Sequence, residues 1–219
     1  MASEKEKIRH PFVILCEGLD AKLFMIWYLN SAALSEDPVF SRDVQVFDFG
    51  GIQDLHQKLA LFKLTPGYEM VQSLLIIRDA ERDSTGAVQQ IISALQKSDL
   101  PAPLGPGIVE DGVPKVGFLL FPTCDTAPTE GTLENLCCKI LKEPPDPPIF
   151  DEIDAFLYRL QDQGIRDFPR RFKTELHTYL SVTDEYVSLK LGEAARAGAF
   201  DWEHIKLAPL KGFMKELFT

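Results

Sequence analysis

The sequence predicts an α/β fold in which helices flank a mostly parallel central sheet, followed by a helical C-terminal extension. Two observations lead to this prediction. Short apolar runs alternate with helix-like patterns three times before position 98, and such βα repeats are typical of parallel sheets. After the proline-rich stretch 143–148, only helical patterns occur.

The first three predicted strands are short apolar runs, each followed by apolar residues at helical spacing. The runs cover positions 12–16, 44–47 and 74–77, and the helices after them are expected around 20–33, 52–62 and 88–95. The third run is apolar on both faces, as a central parallel strand must be. The sequence therefore places this strand inside the sheet.

The rest of the chain adds one strand and several helices. Positions 101–114 read as a loop or irregular hairpin, 116–121 as a strand and 132–141 as a helix. The prolines at 143–148 mark a predicted boundary between an α/β domain, residues 1–143, and a helical extension packed on it, residues 144–219. Helical patterns in the extension lie around 153–163, 172–180, 188–197 and 208–217.

Composition excludes several classes of protein. The chain has 33 Asp and Glu against 23 Lys and Arg, a formal net charge of −10, so it repels polyanions at long range and does not suit bulk coating of nucleic acid. No apolar stretch is long enough to span a bilayer, and the N-terminal segment is charged, so we expect no membrane association. The four cysteines lack metal-ligand or disulfide spacing, which fits a reducing cytoplasm.

Carboxylates follow two of the predicted strands directly. Glu17 ends the first strand, with Asp20 three positions later, whereas Asp79, Glu81 and Asp83 alternate after the third strand. If the chain stays extended there, a period of two points the last three side chains to one side. Functional groups collect beyond the carboxyl ends of parallel strands, and converging carboxylates favour Mg²⁺ or Mn²⁺. Taken singly, each carboxylate is also explained as a helix cap or a solvated surface group.

Two of these segments resemble the Toprim domain shared by topoisomerases, primases and OLD-type nucleases. In that domain an apolar strand closes in Glu-Gly and a later strand closes in Asp-x-Asp; the matching segments are Glu17-Gly18 and Asp79-Ala80-Glu81. The whole chain is similar to a narrower family of small stand-alone Toprim-like proteins of unknown function (DUF3226-like). Further matching segments are Gly50-Gly51, Gly105-Pro106-Gly107, Gly131-Thr132-Leu133-Glu134, and Lys173 ahead of His177-Thr178-Tyr179-Leu180.

The resemblance implies a phosphoryl-transfer site with one or two metal ions. Asp79 and Glu81 match the pair that holds Mg²⁺, while Glu17 matches a metal ligand or proton-transfer group. Glu134 and Lys173 resemble later acidic and lysine positions of OLD-type nucleases, so Glu17 and Lys173 are the candidate catalytic residues. Glu81 replaces the usual second Asp, which leaves the number of metal ions open. The candidate metal ligands are Glu17, Asp20, Asp79, Glu81, Asp83 and Glu134.

One dense basic cluster lies in the extension and is formed by Arg166, Arg170, Arg171 and Lys173. It is either a solvated helix face or a local rim that binds the phosphates of a nucleic acid. The four histidines lie far apart and lack metal-ligand spacing, so we expect surface or helix-packing roles for them.

Three functions are open at this point. The first is a Mg²⁺-dependent enzyme acting on phosphodiester bonds of nucleic acid, with a nuclease as the leading case. The second is a binding module that keeps the fold and a cation without turnover and binds nucleic acid or a protein partner. The third is a flavodoxin-like phosphoacceptor domain phosphorylated on Asp79, although Glu17-Gly18 supplies only half of the acidic pair it needs. The first function predicts that strands one and three are neighbours, that Glu17, Asp79 and Glu81 converge on one cation, and that Lys173 lies over them.

Overall fold

A computed structural model describes residues 7–40, 43–51, 55–142 and 149–219. In these ranges the strands are β1 (Phe12–Cys16), β2 (Val44–Asp48), β3 (Ser73–Asp79), β4 (Val109–Glu110) and β5 (Lys115–Phe121). The helices are α1 (Leu19–Leu29), α2 (Ala32–Ser35), α3 (Leu55–Lys63), α4 (Ser84–Lys97), α5 (Leu133–Leu141), α6 (Ile149–Asp162), α7 (Arg171–Val182), α8 (Leu191–Arg196) and α9 (Ala208–Phe218). Short 3-10 turns cover Tyr68–Met70 and Ile205–Leu207.

The strands form one sheet in the order β2-β1-β3-β5-β4. All pairs are parallel except β4 with β5, which confirms the predicted mostly parallel sheet and the irregular hairpin before β5. Strands β1 and β3 are neighbours, as predicted, with Cys16 opposite Ile77. The carboxyl ends of β1 and β3 therefore lie side by side at one edge of the sheet.

Strand β3 is central because both of its faces are apolar and covered. Leu75 and Ile77 belong to one buried cluster, which also contains residues of α1, α5 and the C-terminal helices. Leu74 and Ile76 belong to a second cluster, with residues of α3 and α4. All four side chains are fully buried, so helices cover both faces of the sheet, as the sequence predicts.

The C-terminal helices pack onto the sheet itself. The hydroxyl of Ser73 in β3 donates a hydrogen bond of 2.9 Å to the Leu217 carbonyl in α9, and the Phe12 and Phe218 rings stack with centroids 5.1 Å apart. The Phe213 ring occupies the space beside Gly117 in β5. The predicted boundary at 143–148 lies outside the described residues, so the division into a domain and an extension stays a prediction.

The first predicted helix differs from the observed elements. The sequence predicts one helix up to position 33, but α1 ends at Leu29 and α2 begins at Ala32. The Asn30 amide donates to the Ile26 carbonyl at 2.7 Å and the Ser31 hydroxyl donates to the Tyr28 carbonyl at 2.6 Å. The Ser31 backbone N–H also donates to the Tyr28 carbonyl, at 3.1 Å, so that carbonyl is occupied by Ser31 rather than by the N–H of residue 32, and the helix stops there.

All four cysteines are free and buried. Among the described residues, no helix has the length and apolar character needed to cross a bilayer.

Candidate active-site cleft

Asp79 is the last residue of β3 and lies against the start of α5. Its Oδ1 accepts a hydrogen bond of 2.9 Å from the backbone N–H of Leu133, the first residue of that helix. The helix start is held by Thr132, whose backbone N–H donates to Asn135 Oδ1 at 2.9 Å. The parallel sheet and the N-terminus of α5 together fix the position of the Asp79 carboxyl group.

The environment of Asp79 is rich in negative charge. Burial, together with the carboxylates of Glu134, Glu17 and Glu81, raises the pKa of Asp79 to about 7, although the hydrogen bond from Leu133 acts in the opposite direction. Four of the sequence-predicted residues therefore lie in one region at the carboxyl edge of the sheet.

The chain does not stay extended after β3, so the condition for aligning Asp79, Glu81 and Asp83 is not met. Glu81 has a left-handed φ of 55°, and its backbone exchanges two hydrogen bonds with Gly131, of 2.8 and 2.7 Å. Asp83 then caps α4 by accepting a hydrogen bond of 2.8 Å from the Gly86 N–H. The backbone bridge to Gly131 thus redirects the chain before Asp83.

Glu17 pairs with an arginine that comes from the same strand as Asp79. Arg78 Nε lies 3.2 Å from Glu17 Oε2 and is nearly buried, with 4% of its side chain exposed. Arg78 also donates to Gln90 Oε1 at 2.7 Å. Because neighbouring residues of a strand face opposite sides, Arg78 draws Glu17 toward the side of the sheet away from the Asp79 side chain.

The described residues contain no group of three or more His, Cys, Asp or Glu side chains arranged to hold a metal ion. Asp20, another candidate ligand, accepts a hydrogen bond of 3.2 Å from the Gly192 N–H at the start of α8. The roles of the six candidate metal ligands therefore stay predictions, and for Asp20 and Asp83 the structure shows helix-capping contacts.

A cleft of about 1030 Å³ opens at this edge of the sheet. Its acidic side chains are those of Asp79, Glu81, Glu130, Glu134 and Asp167, and its basic side chains are those of Arg82, Arg166, Arg170, Arg171 and Lys173. The basic residues come mainly from the segment between α6 and α7 and from the first turn of α7. Carboxylates at the end of β3 and cations of the C-terminal helices thus share one cavity.

Lys173 lies at this cleft, as the sequence predicts. Its Nζ is 3.4 Å from Glu134 Oε1, and 45% of its side chain is exposed. The charge of Glu134 in turn raises the pKa of Asp79. Glu134 therefore interacts both with Lys173 and with Asp79 at the end of β3. Its catalytic role stays a prediction.

Arg171 has a structural role within the basic cluster. It pairs with Asp154 of α6 and with the buried Glu175, whose Oε1 lies 3.0 Å from its Nε. Lys142 Nζ of the α5 end lies 3.5 Å from the same carboxylate. These contacts fix α7 against α5 and α6 and so position Lys173.

Sequence reasoning missed two arginines at the site. Arg82 donates to the Pro169 carbonyl at 3.0 Å and so ties the end of β3 to the opposite wall of the cleft. Arg78 could have been noticed as a charged residue inside an otherwise apolar central strand. Arg82 carries no such signal, because its partner is a backbone carbonyl far away in the sequence.

The fold and the cleft define an α/β protein with a mixed acidic and basic cavity at the carboxyl edge of a parallel sheet. A family model described as "Protein of unknown function (DUF3226)" matches residues 11–219, and the chain belongs to this family. Neither the curated proteins nor the solved structures gave a match.

Proposed function

We propose that the protein is a divalent-metal-dependent enzyme that cleaves phosphodiester bonds of nucleic acid, and that its active site is the cleft beside Asp79. One observation supports this above the others: carboxylates and cationic side chains line the same cavity. A metal ion suits the carboxylates, and a phosphate backbone suits the cations.

The acidic side chains that line the cleft support Mg²⁺ or Mn²⁺ as the proposed cation. Magnesium is commonly held by one or two carboxylates, with waters and substrate phosphates completing its shell. Asp79 and Glu81 could supply those carboxylates, with Glu134 beside them. A cation there would relieve the repulsion around the partly buried Asp79. A bound metal ion would stabilise charge on the attacking and leaving oxygens of the phosphate.

The remaining side chains would bind and orient the substrate. Lys173 is nearly half exposed and paired with Glu134, so it can turn toward a phosphate and compensate its developing charge. Arg166 and Arg170 line the same cleft and would position the backbone. Glu17 is the proton-transfer group that the resemblance suggests; it pairs with Arg78 and does not line the cleft, so in this role its side chain would turn from Arg78 toward the substrate. The resemblance to Toprim domains supports the same roles for Glu17, Asp79 and Glu81.

A second candidate function is a binding module without turnover. The ion pair between Glu17 and Arg78 favours it, because it holds the candidate proton-transfer group on the arginine, and Glu17 does not line the cleft. The two candidates differ in whether the protein turns over substrate.

Cleavage assays distinguish these functions. The full chain is incubated with labelled DNA and RNA oligonucleotides in Mg²⁺, in Mn²⁺ and in EDTA. We expect cleavage with either metal and none in EDTA, loss of cleavage in Asp79→Asn, and full cleavage in Lys206→Ala, a control at an exposed lysine that does not line the cleft. A folded protein that cleaves none of these substrates with either metal would contradict the nuclease and support the binding module.

A further inference from the structure

The cleft also presents an aromatic side chain to solvent. Phe172 lies in the first turn of α7, beside Lys173, and is 43% exposed. Phe168 lines the same cavity and is half-buried against the core. An exposed ring next to a cationic side chain is the combination that binds a nucleobase together with its phosphate.

A smaller cavity of about 400 Å³ continues from the cleft along α7. It shares Lys173 and Thr174 with the cleft and adds His177, Thr178 and Ser181. These residues recur every three or four positions, so they lie on one face of the helix. A cation, an imidazole and hydroxyl groups in a row are suitable partners for successive phosphates and sugars of one strand.

We infer that the substrate is a single-stranded nucleic acid, with a base stacked on Phe172 and its backbone running along α7 from Lys173 toward Ser181. This inference rests on the proposed function, because it assigns the substrate of the same cleft. Bases inside a duplex are stacked on one another and offer no face to Phe172, whereas an unpaired base does. The net charge of −10 also disfavours a broad contact with the phosphates of a duplex.

The test compares binding of single and double strands. Fluorescence anisotropy is measured with a short labelled DNA strand, the RNA of the same sequence and the matching DNA duplex, with Ca²⁺ in place of Mg²⁺ to slow cleavage. We expect the single strands to bind about tenfold more tightly than the duplex, because only they can stack on an aromatic ring. Equal or tighter binding of the duplex would overturn the inference.

Two phenylalanines provide a matched comparison. Phe172→Ala should weaken binding of the single strand about tenfold, since one stacked base contributes that much. Phe172→Tyr should retain it. Phe156→Ala is the control, because Phe156 is similarly exposed at 46% but lies on α6 away from the cleft. Equal effects of Phe172→Ala and Phe156→Ala would overturn the role of stacking, and a mononucleotide that competes as well as the strand would overturn the path along α7.

This inference and the proposed function can fail separately. Cleavage of duplex alone would overturn the single-stranded substrate and leave the nuclease standing. Binding of single strands that depends on Phe172, without cleavage in the presence of either metal, would support single-stranded nucleic acid as the ligand and contradict the nuclease.

Discussion

At the scale of single residues, the raised pKa of Asp79 makes the stability of the protein depend on pH. Its carboxyl group has a pKa of about 7 in the folded protein, against about 3.9 in an unfolded chain. Between these values the folded state holds a proton that the unfolded state has lost, so the free energy of unfolding falls as the pH rises from about 4 to 7. Asp79→Asn removes this titration and keeps an oxygen that can accept the Leu133 hydrogen bond. In EDTA, we expect the variant to be more stable than the wild type at neutral pH, with the difference shrinking toward pH 4.

Denaturant unfolding at several pH values measures this difference. Asp37→Asn is a control of opposite sign, because the hydrogen bond from Lys215 lowers the pKa of Asp37. That variant should lose stability at neutral pH, and its difference from the wild type should vanish as the solution becomes acidic. A difference in stability between Asp79→Asn and the wild type that does not change with pH would contradict the raised pKa of Asp79.

Lys173 provides a second test on one residue. Lys173→Ala should abolish metal-dependent cleavage, because the lysine is proposed to compensate charge on the phosphate. Its side chain is nearly half exposed and its ion pair with Glu134 is long, so thermal stability should change little. Mn²⁺ affinity, measured by calorimetry, should also be nearly unchanged. If Lys173→Ala cleaves as well as the Lys206→Ala control, Lys173 does not compensate charge on the phosphate.

At the scale of elements, the packing of α9 on the sheet can be tested with two glycine substitutions, one in β5 and one in α9. A Cβ on Gly117 of β5 would lie 2.6 Å from Phe213 Cζ, whereas a Cβ on Gly212 of α9 meets nothing within 4 Å. Gly117→Ala should therefore destabilise the protein by about 1–3 kcal/mol through overpacking. Gly212→Ala should stabilise it by about 0.5–1 kcal/mol, because alanine loses less backbone entropy in a helix. Chemical denaturation measures the free energy of unfolding of both variants. A Gly117→Ala variant as stable as the wild type would contradict the close contact with Phe213.

The elements could be predicted where the sequence pattern is local. The apolar run of β3 and the helical spacing of α4 need no distant information. The break at Asn30 and the left-handed backbone of Glu81 were not predicted. Glu81 takes that conformation because Gly131 supplies two backbone hydrogen bonds from fifty positions away in the sequence, and single-sequence patterns do not report such pairings.

For the whole molecule, chain topology accounts for how much of the site could be predicted. Parallel strands that lie side by side bring Glu17 and Asp79 to one edge, and both residues stand directly after apolar runs in the sequence. The Arg78 partner of Glu17 could not be predicted, because strand spacing gives the face of a side chain and not its partner. The position of α7 at the cleft depends on the ion pair between Arg171 and the buried Glu175. The sequence pattern does not predict this tertiary contact, and only the resemblance to OLD-type nucleases suggested that Lys173 lies near the carboxylates.

A divalent cation is proposed to bind beside Asp79 and Glu81 in the cleft. Anomalous diffraction from crystals soaked in Mn²⁺ tests it most directly, because the signal locates the ion and identifies its ligands. We predict a peak bound by Asp79 and Glu81, on the side of the cleft that faces Lys173, and its loss in Asp79→Asn. Soaked crystals with an accessible cleft and no peak beside Asp79 would contradict the account.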